Sequence, residues 1–363
     1  MKRAQTIILP AFEPDRRMLD TVIELQTRGF EQIVVVDDGS GAGYGAVFTS
    51  ARTLGAVVAV HPQNRGKGAA IRTGIETARE HFGIEGGFIT VDADGQHRAA
   101  DVERVADAMD EHPNGLILGT RDFSGDHVPW KSRWGNRISS ILFRIFNGKS
   151  CPDTQTGLRG IPSNLTILAL SEDGDRYDYE MNFLTDASAE APMRFVPIAT
   201  IYENENASSH FRPFSDSLLI YGRPLRFVMS SGSGAACDYL LFYLFTFLIA
   251  LPHAQMILVS TMLARFASGF FNFEMNRHFS FRSRGNVRLQ AGKYFVLFVA
   301  QMMASAAGVT VLSYAIPAIA AKLIVDTGLF FLSYVIQKRW IFGKGKGTVY
   351  EKKKTSLPVG NPV

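Results

Sequence analysis

Between Ala235 and Ile336 four long apolar stretches follow one another with very few charges inside them, whereas the residues up to about 220 are densely and evenly charged. A membrane span needs ~20 mostly apolar residues. The stretches at about 229–251, 254–274, 294–315 and 318–337 meet or approach that length, and all four are expected to be helices. A single soluble domain is therefore excluded. With ~100–200 residues as the usual domain size, the 363 residues divide into a soluble domain over 1–220, a membrane domain over 221–342 and a basic tail over 343–363.

The net charge of +4 is too small an excess to indicate nucleic acid, and the placement of the basic residues says more than their number. Arg277, His278, Arg282, Arg284, Arg288 and Lys293 lie between the second and third stretches, and Lys338, Arg339, Lys344, Lys346 and Lys352 to Lys354 follow the last. The other two connections, near Pro252 and Pro317, hold no Lys or Arg. The positive-inside rule then predicts a multi-pass integral membrane protein with both termini and the soluble domain in the cytoplasm. The N-terminal residues lack the apolar core of a signal peptide, so the first domain is expected to stay where it is made. Cys151 and Cys237 are too few and too far apart for a disulfide framework or a zinc site.

Within the soluble part, short β-branched runs at Thr6–Leu9, Gln32–Val36, Ala56–Val60, Phe88–Val91 and Leu116–Leu118 alternate with segments of helical periodicity such as Asp15–Arg28 and Ala69–Phe82. This alternation implies βαβ units and a mostly parallel sheet, an α/β fold. Ligands of such sheets bind outside the carboxyl ends of the strands. There the sequence reads Pro10-Ala11-Phe12-Glu13, Asp37-Asp38-Gly39-Ser40, Asn64-Arg65-Gly66-Lys67-Gly68, Asp92-Ala93-Asp94-Gly95-Gln96 and Gly119-Thr120-Arg121. Two carboxylates at i and i+2 of an extended segment point to the same side, so Asp92 and Asp94 can share one divalent cation with the Gln96 amide in reach. Oxygen ligands in an open arrangement suit Mg²⁺ or Mn²⁺. The same motif can be a turn or cap before a helix near Ala99; the polar loops at four neighbouring strand ends favour the metal. Asp37 and Asp38 suit either a turn or a nucleoside, and Arg65 and Lys67 either solvent or a diphosphate.

These motifs, together with Asp153-Thr154-Gln155-Thr156-Gly157-Leu158-Arg159, resemble in order and spacing the family 2 inverting glycosyltransferases of the GT-A fold. Within them the chain is most similar to the polyprenyl-phosphate sugar synthases, of which dolichyl-phosphate mannose synthase is a type. The resemblance spans roughly residues 5–220. It implies a nucleotide sugar of the UDP-glucose or GDP-mannose class bound by Pro10, Ala11, Phe12, Glu13, Asp37, Asp38, Lys67 and Asp92, and a metal on Asp92, Asp94 and Gln96. It also implies catalytic roles for Asp94 and Arg121, and an acceptor phosphate held by Arg121, Arg133 and Arg137. One departure stands out: where relatives carry a basic stretch, this chain reads Tyr202-Glu203-Asn204-Glu205-Asn206 and then Ala207 to Arg212, leaving His210 and Arg212 as the candidates for phosphate contacts.

Ile138, Ile141, Leu142, Ile145 and Phe146 form a helical apolar stripe bordered by Arg133, Arg137, Arg144 and Lys149. Such a helix either lies in a membrane interface or packs its stripe on the sheet. In the membrane part, Phe270, Phe273, Asn276, Arg277 and Phe281 are matched 61 positions later by Phe331, Tyr334, Gln337, Lys338 and Phe342, which implies two similar helix hairpins. This region, with Asn272-Phe273-Glu274-Met275-Asn276-Arg277 as its most specific piece, resembles the GtrA-like membrane family, whose members are associated with handling polyprenyl-linked sugars. Arg265, near the middle of the second stretch, needs an acidic partner, and Asp326 is expected to be it.

The expectation is a metal-dependent membrane hexosyltransferase acting on a polyprenyl phosphate lipid, with oligomeric state left open. A processive polysaccharide synthase and a lipid-linked-sugar flippase or scaffold are the alternatives.

Overall fold

The computed structural model describes residues 2–125, 128–199, 222–281, 283 and 285–342. His210, Arg212 and the basic tail lie outside the described residues. The chain forms two compact units, Met1–Ile220 and Tyr221–Val363.

The first unit runs β1 (Thr6–Ala11), α1 (Arg16–Thr27), β2 (Ile33–Asp37), α2 (Gly45–Thr53), β3 (Val57–Val60), α3 (Lys67–Phe82), β4 (Phe88–Thr90), α4 (Ala99–Glu111), β5 (Leu116–Arg121), α5 (Trp130–Asn147), β6 (Arg159–Ile161), α6 (Thr166–Ser171), α7 (Tyr177–Glu190) and β7 (Met193–Ile198). Its seven strands are ordered β3-β2-β1-β4-β6-β5-β7. β1 to β4 pair in parallel, β6 is antiparallel to both its neighbours, and β7 is parallel to β5. The mostly parallel α/β sheet agrees with the sequence reading.

Because side chains alternate across a strand, Ile7, Leu9, Ile33 and Val35 pack beneath α1, α2 and α4. Ile8, Val34 and Val36 pack against α3, with α6 and α7 completing that layer. Both faces are covered, which is why these strands read as continuous apolar runs. Two antiparallel pairings around β6 place its start, after Gly157, on the same rim as the carboxyl ends of β1 to β5. That rim carries the polar loops.

The second unit has α8 (Gly222–Leu248), α9 (His253–Met275), α10 (Val287–Leu312) and α11 (Ala318–Ile336), with π-helical turns at Asn276–Ser280 and Gln337–Ile341. Among the described residues three helical segments are long and apolar enough to cross a membrane, Gln255–Ser280, Val287–Leu312 and Ala320–Ile341. α8 has the length without matching that apolarity; Arg223, Arg226 and the Ser230–Gly234 run dilute it. The two π turns sit 61 positions apart, in register with the sequence repeat, and touch: Asn276 Nδ2 donates to Gln337 Oε1 at 3.0 Å. Phe281 stacks on Phe342 at 5.0 Å, while Phe273 meets Phe342 and Phe281 meets Tyr334 in reciprocal contacts.

The expected partner of Arg265 is corrected. Its Nε lies 3.5 Å from Asp238 on α8, whereas Asp326 is held at 2.7 Å by Lys322, one turn earlier on α11. Lys322, four residues before Asp326 on the same helix, satisfies that carboxylate locally, and Arg265 turns instead to Asp238 on α8.

Candidate active site

Each polar loop is set by local backbone chemistry. Glu13 follows β1 with φ of 51°, a non-glycine in the left-handed region, and its N–H donates to Ser40 Oγ at 2.9 Å. A backbone of this kind is stored where surrounding structure holds it, commonly at functional sites. Asp37 Oδ1 accepts the Ser40 N–H at 2.8 Å, folding the β2 loop back on itself. Pro10 and Ala11 pair with Val36 and Asp37, so the Phe12-Glu13 and Asp37-Asp38 corners are adjacent.

Asp38, expected at the nucleotide, is hydrogen-bonded within its own rim. Its Oδ1 accepts the Arg65 N–H at 2.9 Å and meets His61 Nδ1 at 2.7 Å, and its Oδ2 accepts the Gly66 N–H at 2.8 Å. Both oxygens are committed to the loop before α3. Gly66, with φ of 99°, and Gly68 let that loop lie against α7; a Cβ at Gly68 would collide with the Tyr179 side chain. Lys67 is thereby aimed at the rim.

Lys67 Nζ lies 2.7 Å from Asp92 Oδ1 and 3.1 Å from Glu180 Oε1. His97 Nε2 approaches Asp92 Oδ2 at 3.5 Å. Gly157 faces the same carboxylate so closely that a Cβ would overlap it. Burial works against charge on Asp92, yet Lys67 and His97 outweigh it and hold the carboxyl well below the ordinary carboxylate range. Burial also works against Lys67, and Asp92 and Glu180 reverse it, so the ammonium is raised. Asp94, by contrast, is raised by burial and then by the Asp92 charge, and its Oδ1 accepts the Gln96 N–H at 3.0 Å.

Two crowded oxygen acids, one of them short of positive charge, fit a hard divalent cation. Among the described residues no three His, Cys, Asp or Glu side chains converge on such a point; the oxygen donors this corner offers are the Asp92 and Asp94 carboxylates.

Arg121 ends β5, and its fork is turned onto Asp153, Nε to Oδ2 at 2.7 Å and Nη2 to Oδ1 at 3.1 Å. The expected acceptor contact thus shares its guanidinium with a fully buried acid. Arg133 and Arg137 lie exposed on the first turns of α5, Arg133 donating to Gly125 O at 2.8 Å and Arg137 stacking on Trp134. Sequence reasoning gave no role to His97 and did not pair Lys67 with Glu180 or Arg121 with Asp153. Only His97 carried a local signal, its place directly after Asp92-Ala93-Asp94-Gly95-Gln96.

Residues 7–162 match the model of glycosyl transferase family 2, and residues 226–342 match the GtrA/DPMS transmembrane domain. An uncharacterized protein of Methanocaldococcus jannaschii is 30% identical over 56% of this chain and 83% of its own length. The chain belongs to glycosyl transferase family 2. This family 2 glycosyltransferase is also 28% identical to the UDP-N-acetylglucosamine–dolichyl-phosphate N-acetylglucosaminyltransferase of Methanococcus voltae, over 54% of the chain and 85% of that protein. It is 27% identical to a dolichyl-phosphate beta-glucosyltransferase of Dictyostelium discoideum, over 59% of the chain and 70% of that protein. With the GtrA/DPMS domain and, among its described residues, three helices of spanning length, it is a membrane enzyme.

Proposed function

We propose that this glycosyltransferase moves one hexose from a UDP- or GDP-linked sugar to a polyprenyl phosphate, with inversion, at the cytosolic face of the membrane. The observation that carries the reading is the rim on which Glu13, Asp37, Lys67, Asp92 and Asp94 stand at successive strand ends, in a chain that continues into a membrane domain. Relatives whose names specify dolichyl-phosphate acceptors support the lipid.

In this reading Asp37 and Glu13 receive the nucleoside at the β1 and β2 corners, and Lys67, at the positive end of α3, meets the donor diphosphate. Asp92, Asp94 and Gln96 would hold Mg²⁺ or Mn²⁺, which offsets charge on a departing diphosphate when bound. The acceptor phosphate, with a second pKa of about 6, is largely dianionic at neutral pH. Its oxygen forms the new bond to the anomeric carbon as the bond to the diphosphate breaks on the opposite face. No side-chain base is then required. Arg133 and Arg137 steer that phosphate, and Arg121, oriented by Asp153, closes the acceptor side.

The outer face of α5 supports a lipid acceptor. Trp130, Trp134, Ile138, Ile141 and Ile145 lie along it in helical register, the tryptophans 69% and 55% exposed, with Arg133, Arg137 and Arg144 alongside. Aromatic and aliphatic side chains edged by arginine suit an anionic bilayer interface. The test is to incubate the purified protein with a panel of nucleotide sugars and polyprenyl phosphates and identify the lipid product by mass. A product longer than one sugar, or none on any lipid phosphate, would defeat the proposal.

A further inference from the structure

Lys67 stands where the charge balance of the rim is decided. Its ammonium bridges Asp92 Oδ1 and Glu180 Oε1 at 2.7 and 3.1 Å, and Asp92 belongs to the carboxylate pair that suits a divalent cation. One oxygen of Asp92 therefore already has a cation, and the other faces His97. We propose that Lys67 is a resident counter-ion that competes with the divalent metal for Asp92, and that the donor's diphosphate opens the metal site by drawing the ammonium away. The inference rests on the metal-dependent reading above and adds an order to it: metal binds poorly alone and well with the donor.

The mechanical parts are in the fold. Asp38 pins the Arg65 and Gly66 amides, so the base of Lys67 is fixed while its four-carbon stem swings. Lysine is suited to this task, being a compact charge on a flexible chain, where a planar guanidinium would be held by its fork. Glu180 stands in the first turn of α7 and gives the ammonium a second anchor. In the swung state Asp92 loses a cation beside Asp94, and two neighbouring carboxylates then lack compensation until a divalent ion arrives. A nucleotide sugar brings two negative phosphates to the rim, which is the charge needed to hold Lys67 in its second position. Without a donor, Lys67 on Asp92 also keeps metal from idling at an empty site.

The test reads metal binding, not turnover. Full-length protein in detergent micelles is titrated with Mn²⁺ alone, free Mn²⁺ being followed by electron paramagnetic resonance, for the wild type, Lys67→Met, Lys67→Gln, Lys67→Arg and Asp94→Asn. The two neutral variants, each checked for a cooperative melting transition above the temperature of the titration, should bind Mn²⁺ at least tenfold more tightly than the wild type, and Lys67→Arg should stay weak. Adding UDP or GDP, with its own Mn²⁺ binding in protein-free buffer subtracted, should tighten Mn²⁺ binding in the wild type and much less in Lys67→Met. If Lys67→Met and Lys67→Gln bind Mn²⁺ no better than the wild type while Asp94→Asn abolishes the binding, the metal site stands and the counter-ion role is overturned. If no form binds Mn²⁺ with or without nucleotide, the metal reading itself falls, and the inference falls with it.

Discussion

Asp92 and Asp94 share a motif but occupy opposite electrostatic positions, and substitution should separate them. Asp92 is favoured as an anion by Lys67 and His97, so its stabilising contribution is present above the ordinary carboxylate pKa and is lost as pH falls. Asp94 is raised by burial and by Asp92, so its charge at neutral pH opposes folding of the metal-free protein. Asp92→Asn is expected to abolish transfer and cost about 1.5–3 kcal/mol, the range for a hydrogen bond to a charged group. Asp94→Asn should abolish transfer equally while leaving the melting temperature in chelator unchanged or higher; a large drop would show that the acid is structurally compensated. Chelator should also stop the wild type, with Mg²⁺ or Mn²⁺ restoring it. Cys151 gives the alkaline counterpart: burial pushes its thiol up to about 12, so its contribution is intact below the ordinary thiol value and lost as pH rises from there. Thiol reagents should leave Cys151 unmodified in the native protein up to about pH 8.5 and reach it on denaturation. The D-x-D pair was legible because its chemistry lies within three residues. The Lys67–Glu180 and Arg121–Asp153 pairs were not, because nothing local tells a lysine which distant acid the sheet will bring to it.

α5 shows how far periodicity carries at the level of an element. Helical spacing disclosed Ile138, Ile141 and Ile145, and the arginines beside them, but it assigned Phe146 to the same stripe, and Phe146 is only 7% exposed. The helix has two apolar faces: Phe143 joins the core under the sheet and Phe146 is buried, while Trp130 and Trp134 extend the outer stripe upstream of where it was read. A stripe is identified by spacing, but which stripe is buried depends on what packs against it. The antiparallel β6, three residues long, was too short for any pattern to mark. Covering the outer face with lipid should contribute roughly 2 kcal/mol per tryptophan at ~25 cal/mol per Å² of apolar surface. The double variant Trp130→Ser, Trp134→Ser should therefore lose most of its turnover on long-chain polyprenyl phosphate in vesicles while keeping it on a short, water-soluble prenyl phosphate. Equal loss on both acceptors would assign the face to folding instead.

At the scale of the whole molecule, the membrane unit is organised by its repeat. The C-terminal turns of α9 and α11 meet face to face, and Lys293, near the start of α10, donates to Trp340 O at 3.0 Å beyond α11. Arg277 and His278 after α9, Lys293 near the start of α10, and Lys338 and Arg339 after α11 therefore gather at one end of the bundle. The repeat was visible in the sequence as five matched positions, but its purpose was not, since only folding brings Asn276 against its own counterpart Gln337. Asn276 also accepts from Ser230 at 2.7 Å and donates to Asn272, while Gln337 donates to Ser333 at 2.9 Å, so each amide is supported within its own half before it reaches across. In a bundle without water, an amide that loses its partner has few replacements, and interhelical hydrogen bonds there contribute about 0.6–2 kcal/mol. Asn276→Leu and Gln337→Leu should each lower the melting temperature in detergent, because each leaves a buried carbonyl or amide group of the other without its mate. The double variant removes both ends of that bond, so its cost should fall short of the sum of the single costs by about 0.5–1.5 kcal/mol. Strict additivity in this cycle would mean that the two halves are joined by the Phe273, Phe281, Tyr334 and Phe342 ring cluster alone, with the central amide pair contributing nothing to their union.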